Sequence, residues 1–286
     1  MEERKRTVAL IGPGRAGTTI TLGLLEQGWS VTAVAGRAPD VASTTAAAER
    51  LTSRPALVSE AASNAALVIV ATPDRAIEPT LLAAEPAIEP EALVIHLAGS
   101  RGLDAFEDLL AKRADVRVGA LHPLQSFPST SVGLERLIGS WAAVAGDPEV
   151  TEIASALGLR PFELADSDRT RYHAAAVVAS NHLVALLGQV ERLAASCNVP
   201  FEAFAPLAIS SLENAFELGP DVALTGPVAR GDLGTVADHL RELEQAERNA
   251  YRALAREAAR LTGRGDTGLD RLLDDLHQGP SSSGQE

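Results

Sequence analysis

Three glycines, four histidines and a few hydroxyl and guanidinium groups are the parts of this chain whose types and spacing could do chemistry. Gly12, Gly14 and Gly17, in GPGRAG, stand in the GxGxxG spacing. The first glycine permits a tight turn, the second lets the backbone touch a diphosphate, and the third lets a helix pack closely on a strand. With Arg15 and Ala16 they open a helix, whose unpaired N–H groups and partial positive charge hold a diphosphate without a basic side chain. An NAD site places Asp or Glu about 20 residues further on, to bind the ribose hydroxyls. Here Gly36-Arg37 stand in that place, and no acid follows until Asp40. A carboxylate repels a 2′-phosphate whereas an arginine fork pairs with it, so the sequence reads as an NADP(H) site.

The other reactive groups follow apolar runs. Ala71-Thr72-Pro73-Asp74 closes one such run and is expected against the nicotinamide half of the cofactor, beyond the carboxyl end of its strand. His96 lies inside the next run, where a satisfied core histidine is the expectation, and Ser100 in the loop after it is the candidate for cofactor or substrate. His122 heads the segment HPLQSFP, in which Gln125 and Ser126 are substrate candidates presented between two stiffening prolines. His173 and Ser180 are seven residues apart, so on an α-helix they differ by about 20° and share a face, with Asn181 near its edge. His122, His173 and Asn181 are the catalytic candidates, Ser180 a substrate contact, and His182, off that face, structural. Arg230, in GPVARGD, is the candidate carboxylate receptor, helped by the helix N-terminus after it. No His, Asp and Glu cluster has metal-ligand spacing, so no metal is expected.

These groups need a frame. Val8–Ile11, Ser30–Ala35, Leu67–Ala71, Ala92–Leu97 and Val116–Leu121 read as strands, with a weak one at Pro55–Val58 and two more at Trp141–Ala145 and Arg160–Leu164. Helical patterns alternate with them, which is the signature of a Rossmann-type, doubly wound parallel sheet. From Asp168 the pattern is helical almost to the end. It comprises a long apolar helix over Arg169–Cys197, a helix from Pro200 to Leu218, one over Leu233–Asn249 with Asp232 as N-cap, one over Ala250–Leu261 and a short one to Leu276. The expected division is 1–165 for the dinucleotide-binding domain, 166–277 for a helical substrate or dimerisation domain, and 278–286 for a disordered tail.

Composition narrows the function. At 286 residues the chain has room for two domains. Lys plus Arg is 25 against 38 for Asp plus Glu, a net charge of −13, which argues against nucleic acid or an anionic membrane as partner. A single cysteine, Cys197, permits neither a disulfide framework nor a thiolate metal site, and a reducing cytoplasm is expected. The start MEERKR does not read as a signal peptide, and no uninterrupted apolar stretch reads as a bilayer span.

GPGRAG, ATPD, HLAGS, LHPLQSFP, YHAAAVVASNH and LTGPVARGD together resemble the two-domain proteins of the 6-phosphogluconate-dehydrogenase-like superfamily that carry a C-terminal helical domain of unassigned function. The resemblance spans nearly the whole chain. It implies NADP(H) binding and a homodimer through the helical domain, and leaves the substrate open. HLAGS and LHPLQ are also similar to the prephenate dehydrogenase loops that supply a serine and a catalytic histidine, which carries over to Ser100 and His122. Some members of the family are thought to reduce ketopantoate. In the better-known ketopantoate reductases a lysine stands four residues before an asparagine; here Val177 stands before Asn181, so histidine is the remaining proton donor. The expected function is NADPH-dependent reduction of a small carboxylate-bearing keto compound. The alternative is an NADP(H)-binding sensor without turnover.

Overall fold

The computed structural model describes residues 6–263 and 268–275. The expected tail, 278–286, lies outside them. The chain forms two compact units, Met1–His182 and Leu183–Glu286. Composition changes at 165/166, whereas compactness changes at 182/183.

In the first unit short apolar runs form strands and the segments between them form helices. In chain order these are β1 Thr7–Ile11, α1 Arg15–Glu26, β2 Ser30–Ala35, α2 Ala42–Arg50, β3 Pro55–Ala56, α3 Val58–Ala61, β4 Leu67–Val70, α4 Ile77–Ala84, β5 Leu93–His96, α5 Glu107–Lys112, β6 Arg117–Pro123, α6 Thr130–Leu137, β7 Trp141–Gly146, α7 Glu149–Ala156, β8 Arg160–Glu163 and α8 Arg169–Val177. One sheet runs β3-β2-β1-β4-β5-β6-β7-β8. Its order reverses beside β1, the place where ligands bind in doubly wound sheets. All pairings are parallel except β6 with β7, which is antiparallel and departs from the expected all-parallel sheet. That pairing also lengthens β6 past Leu121, so His122 lies opposite Ala143 within the strand rather than in a loop.

Strand residues alternate between two buried layers. Leu10, Ile69, Ile95 and Leu121 join Ile20, Leu24 and Leu51 on one face. Ile11, Val68, Val70 and Val94 join Ile77, Leu81, Phe106 and Leu109 on the other. Both faces are covered, as a parallel sheet requires. Register aligns Ile11, Val70, His96 and Ala120 in one row across four strands. The residues after that row therefore emerge at one edge, which brings Gly12, Thr72, Gly99 and His122 to the same side of the sheet.

Past α8, Val178–His182 form a π-helical turn. The second unit then contains α9 Leu183–Ser196, α10 Ala205–Leu218, α11 Pro220–Ala223, α12 Pro227–Arg230, α13 Leu233–Glu242, α14 Gln245–Leu261 and α15 Leu269–Asp275. Its core is Val236, Leu240, Ala255, Ala259, Leu269 and Leu273. The helix expected over Leu233–Asn249 stops at Glu242, and Leu243 and Glu244 are extended. No glycine or proline marks that break. Arg248 makes it possible, donating to the carbonyls of Leu243 at 2.8 Å and Arg241 at 3.3 Å, which satisfies the end of α13.

The expected long buried helix also differs. In this chain only Gln189 and Ala194 of α9 are buried, and no side chain of α10 is. By length and composition alone Asp166–Ser196 is apolar enough to cross a membrane, contrary to the expectation that no stretch is. Polar His173, Ser180, Asn181 and His182 interrupt the run without lowering its mean hydropathy enough.

Candidate active site

The glycine turn shows why each glycine is there. Gly12 has φ +94°, and a Cβ on it would lie 2.6 Å from the Ala71 carbonyl carbon and 2.7 Å from Thr72 N. A Cβ on Gly17 would lie 2.7 Å from Ala71 Cβ and 2.8 Å from Gly12 O. Only glycine fits at either position, because β1, α1 and the Ala71-Thr72-Pro73 turn meet there. Gly14 is different: nothing lies within 4 Å of a Cβ built on it. It opens α1, which has no side-chain cap and no acidic residue in its first turn. Arg15, Ala16 and Gly17 thus offer N–H groups to a space open to an anion. Beside them a cavity of about 210 Å³ is lined by Gly14, Arg15, Thr18, Ser43, Arg50 and Thr130. Arg15 also donates to the Pro128 carbonyl at 3.3 Å.

At the end of β2, a side chain on Gly36 would collide with Thr44, which accounts for that glycine without a ligand. Arg37 is exposed and makes no hydrogen bond or ion pair among the described residues. Thr72 Oγ1 is buried and has no partner among the described residues. An open Gly14, an uncapped helix start and an orphaned Thr72 hydroxyl fit a dinucleotide laid across the carboxyl ends of β1 and β4.

The second half of the site lies where β5 and β6 end beside α8, wholly within the first unit. His96 is fully buried. Its Nε2–H donates to the Gly102 carbonyl at 3.0 Å, and its Nδ1 accepts from Ala98 N–H at 3.2 Å. Burial lowers its pKa. It is the satisfied core histidine the sequence suggests.

His122 is bound otherwise. Its Nδ1 is 2.8 Å from Tyr172 Oη, with the two rings perpendicular at 5.5 Å. Burial, followed by the charges of His173 and Arg169, pushes its pKa down to about 4. Burial raises Tyr172 to about 12, against the opposing charge of Arg169. Imidazole and phenol are therefore both neutral at physiological pH. Tyr172 is held edge-on by Phe162 at 5.9 Å, and Phe162 by Trp141 at 6.2 Å.

His173 stands edge-to-face with His122 at 5.8 Å, and its buried Nδ1 has no partner among the described residues. A Cβ at Gly99 would lie 2.6 Å from His173 Nδ1 and 2.8 Å from His122 Nε2, so both ring nitrogens converge on that glycine. Ser100, next in the loop, donates a short hydrogen bond to Asp74. The loops after β4 and β5 are thus tied together.

Other candidates are placed elsewhere. Gln125 donates to Ser140 Oγ at 3.2 Å and accepts from Ser126 N–H at 2.9 Å, so it closes its own loop. Ser126 is exposed. Ser180 lies further round the helix axis from His173 than the about 20° expected of an unbroken α-helix. Each residue of a π turn advances by less than the roughly 100° of an α-helix, so the intervening turn shifts the phase. Ser180 Oγ lies 2.7 Å from the Ala176 carbonyl and 3.0 Å from Asn181 Oδ1, and Asn181 is exposed. Arg230 is an exposed residue of the second unit, and the helix start beyond it is already occupied by Asp232, which accepts from Thr235 N–H at 3.1 Å.

Sequence reasoning missed Tyr172, Arg169, Asp166 and the pairing of Asp74 with Ser100. The signal for two of them was present: in RTRYH, Arg169, Tyr172 and His173 stand at i, i+3 and i+4, one helix face.

Comparison with known proteins bears on this geometry. Residues 7–99 match a family described as NADP oxidoreductase coenzyme F420-dependent, and residues 142–258 match a domain of unknown function, DUF2520. No curated protein matches the chain. Among solved structures, a protein of Bacteroides fragilis described as an NADP oxidoreductase is 26% identical, with a TM-score of 0.77, over 89% of this chain and 98% of that one. A protein of Thermotoga maritima is 22% identical, with a TM-score of 0.61, over 94% and 96%. A reductive aminase from Aspergillus terreus in complex with NADPH and ethyl levulinate is 18% identical, with a TM-score of 0.62, over 94% and 98%.

Proposed function

We infer that this chain, an NAD(P)-dependent oxidoreductase of the 6-phosphogluconate-dehydrogenase-like superfamily, reduces a small carbonyl compound bearing a carboxylate and takes NADPH to do so. The observation that carries the reading is the neutral His122–Tyr172 pair at the edge where the glycine turn opens. Gly14, Arg15, Ala16 and Gly17 would hold the diphosphate, Arg37 the 2′-phosphate, and Thr72 the nicotinamide end. When bound, NADPH supplies a hydride to the carbonyl carbon.

The chain must supply the proton. With Tyr172 O–H donating to Nδ1, the proton of His122 sits on Nε2, which faces Gly99. A carbonyl oxygen there accepts a hydrogen bond from Nε2–H and takes that proton as it gains negative charge. The Tyr172 proton passes in turn to Nδ1, so the imidazole ends neutral and the phenolate is left facing the charge of Arg169. Solvent then restores the phenol. Neutral imidazole is the form suited to this role, because it donates at one nitrogen and accepts at the other.

The test is stopped-flow NADPH oxidation over a panel of 2-oxo acids, comparing wild type with His122→Ala. A loss of about 10²–10⁴-fold is expected for a positioned proton donor. Equal rates would remove His122 from the reaction. NADPH binding with no turnover on any carbonyl would favour the sensor.

A homodimer through the helical unit belongs to the same proposal. Leu207, Ile209, Phe216 and Leu218 of α10 are 65%, 55%, 90% and 56% exposed. So much apolar surface on one helix is characteristic of an interface. Analytical ultracentrifugation should give twice the chain mass, and Phe216→Asp should weaken the association.

A further inference from the structure

Arg169 opens α8 with its side chain 0% exposed. Its Nε donates to Asp166 Oδ1 at 3.1 Å. Nη1 and Nη2 are buried and have no partner among the described residues. Asp166 is not free to satisfy them, since its other oxygen accepts from Leu103 N–H at 2.8 Å and the side chain is 43% exposed. The Nη1/Nη2 edge of the guanidinium, one of the two that can take a carboxylate bidentately, is therefore unmatched among the described residues.

Two less buried arginines of this chain have their N–H groups matched. Arg113 spreads its N–H groups over Asp115 and the Glu85 carbonyl, and Arg248 caps two backbone carbonyls. Arg169 does neither, although it is more deeply buried than they are. Its charge reaches His96, His122 and Tyr172, and Tyr172 and His173 come after it on the same helix face. Arg169 thus stands on the helix face that carries Tyr172 and His173 into the site that would reduce the carbonyl.

We propose that the Nη edge of Arg169 is the receptor for the substrate's carboxylate, in place of Arg230. A carboxylate there would accept charge-assisted hydrogen bonds from the two buried Nη groups, which a neutral amide does more weakly. The proposal rests on the reading of this site as a reduction centre. Entry requires movement of the Ala98–Gly102 segment, in which Gly99 lies against the two imidazoles and Gly102 against Asp166.

The experiment uses the full chain saturated with NADPH, whose own binding is titrated first. Absence of NADPH binding would sink the functional reading; with the cofactor bound, anion titrations test the receptor alone. Calorimetric titrations with acetate and oxamate are compared with acetamide and oxamide. The carboxylates should bind and the amides should be weaker by about 100-fold. Arg169→Met should lower oxamate affinity about 100-fold, the scale expected on truncating one partner of a buried charge pair. Arg169→Lys keeps the charge without the fork and should fall between the two.

A second readout needs no variant. Bound oxamate places a negative charge near His122, so saturation should raise the His122 pKa above about 4, followed by NMR. The idea is overturned if neither carboxylate binds, if amides bind equally, or if Arg169→Met binds within about threefold of wild type while its near-ultraviolet circular dichroism shows a native fold. A His122 titration unmoved by bound oxamate would overturn it too.

Discussion

Protonation of His122 should cost this protein stability as pH falls, and the size of the effect comes from its burial. Burial holds its pKa at about 4 in the folded chain, against 6.5 when unfolded. Between those values the unfolded chain binds a proton that the folded one refuses, so stability rises with pH across that window. The contribution is complete above 6.5 and is lost progressively toward 4. At roughly 1.4 kcal/mol per pH unit the loss is about 3 kcal/mol, a large part of a typical total of roughly 5–15 kcal/mol. His96 is lowered in the same direction, so the wild type should lose more than this in total. His122→Asn isolates one of the two. Urea unfolding of both proteins in steps from about pH 7.5 to about 4.5 should give a shallower acid slope for the variant, by about 3 kcal/mol over the window. An NMR titration of the histidine ring protons should show one signal, missing in the variant, that titrates near 4. Parallel slopes, or a His122 signal titrating near 6.5, would refute the argument from burial.

Three further outcomes test the site. Gly14→Ala should leave stability within about 0.5 kcal/mol and abolish tight NADPH binding, whereas Gly12→Ala, with φ +94° and backbone within 2.7 Å, should lose about 3 kcal/mol or more; thermal unfolding and fluorescence titration separate the two effects. Arg37→Asp should reverse the preference between NADPH and NADH, because a carboxylate accepts from ribose hydroxyls and repels a phosphate; comparing the two affinities by calorimetry checks it. Gly99→Ala should remove turnover while retaining NADPH binding, since its methyl would press on His122 Nε2 and His173 Nδ1; a variant with wild-type rates would show that this approach is irrelevant.

Much of the dinucleotide half was legible in the chain because its determinants are local. A strand, three glycines, a helix and a second strand succeed one another within Thr7–Ala35, and spacing alone says what each glycine does. His96 was legible for the same reason, since an apolar strand needs its polar members satisfied nearby. The break at Leu243 was not, because the device that allows it is an arginine five residues later. Nor was the phase of Ser180, which depends on a π turn that carries no distinctive residue.

The sequence by itself determined the order of strands and helices, the glycine cradle and the histidines available for proton transfer. These arise from periodicity and from the conformational range of glycine, which act over a few residues. Only the tertiary structure decided which histidine pairs with a buried phenol. His122 meets Tyr172, fifty residues away, because antiparallel β7 extends β6 and α8 is packed against its end. Burial then sets both pKa values and leaves the Nη edge of Arg169 without a partner among the described residues, and burial is a property of the folded neighbourhood that no single segment carries.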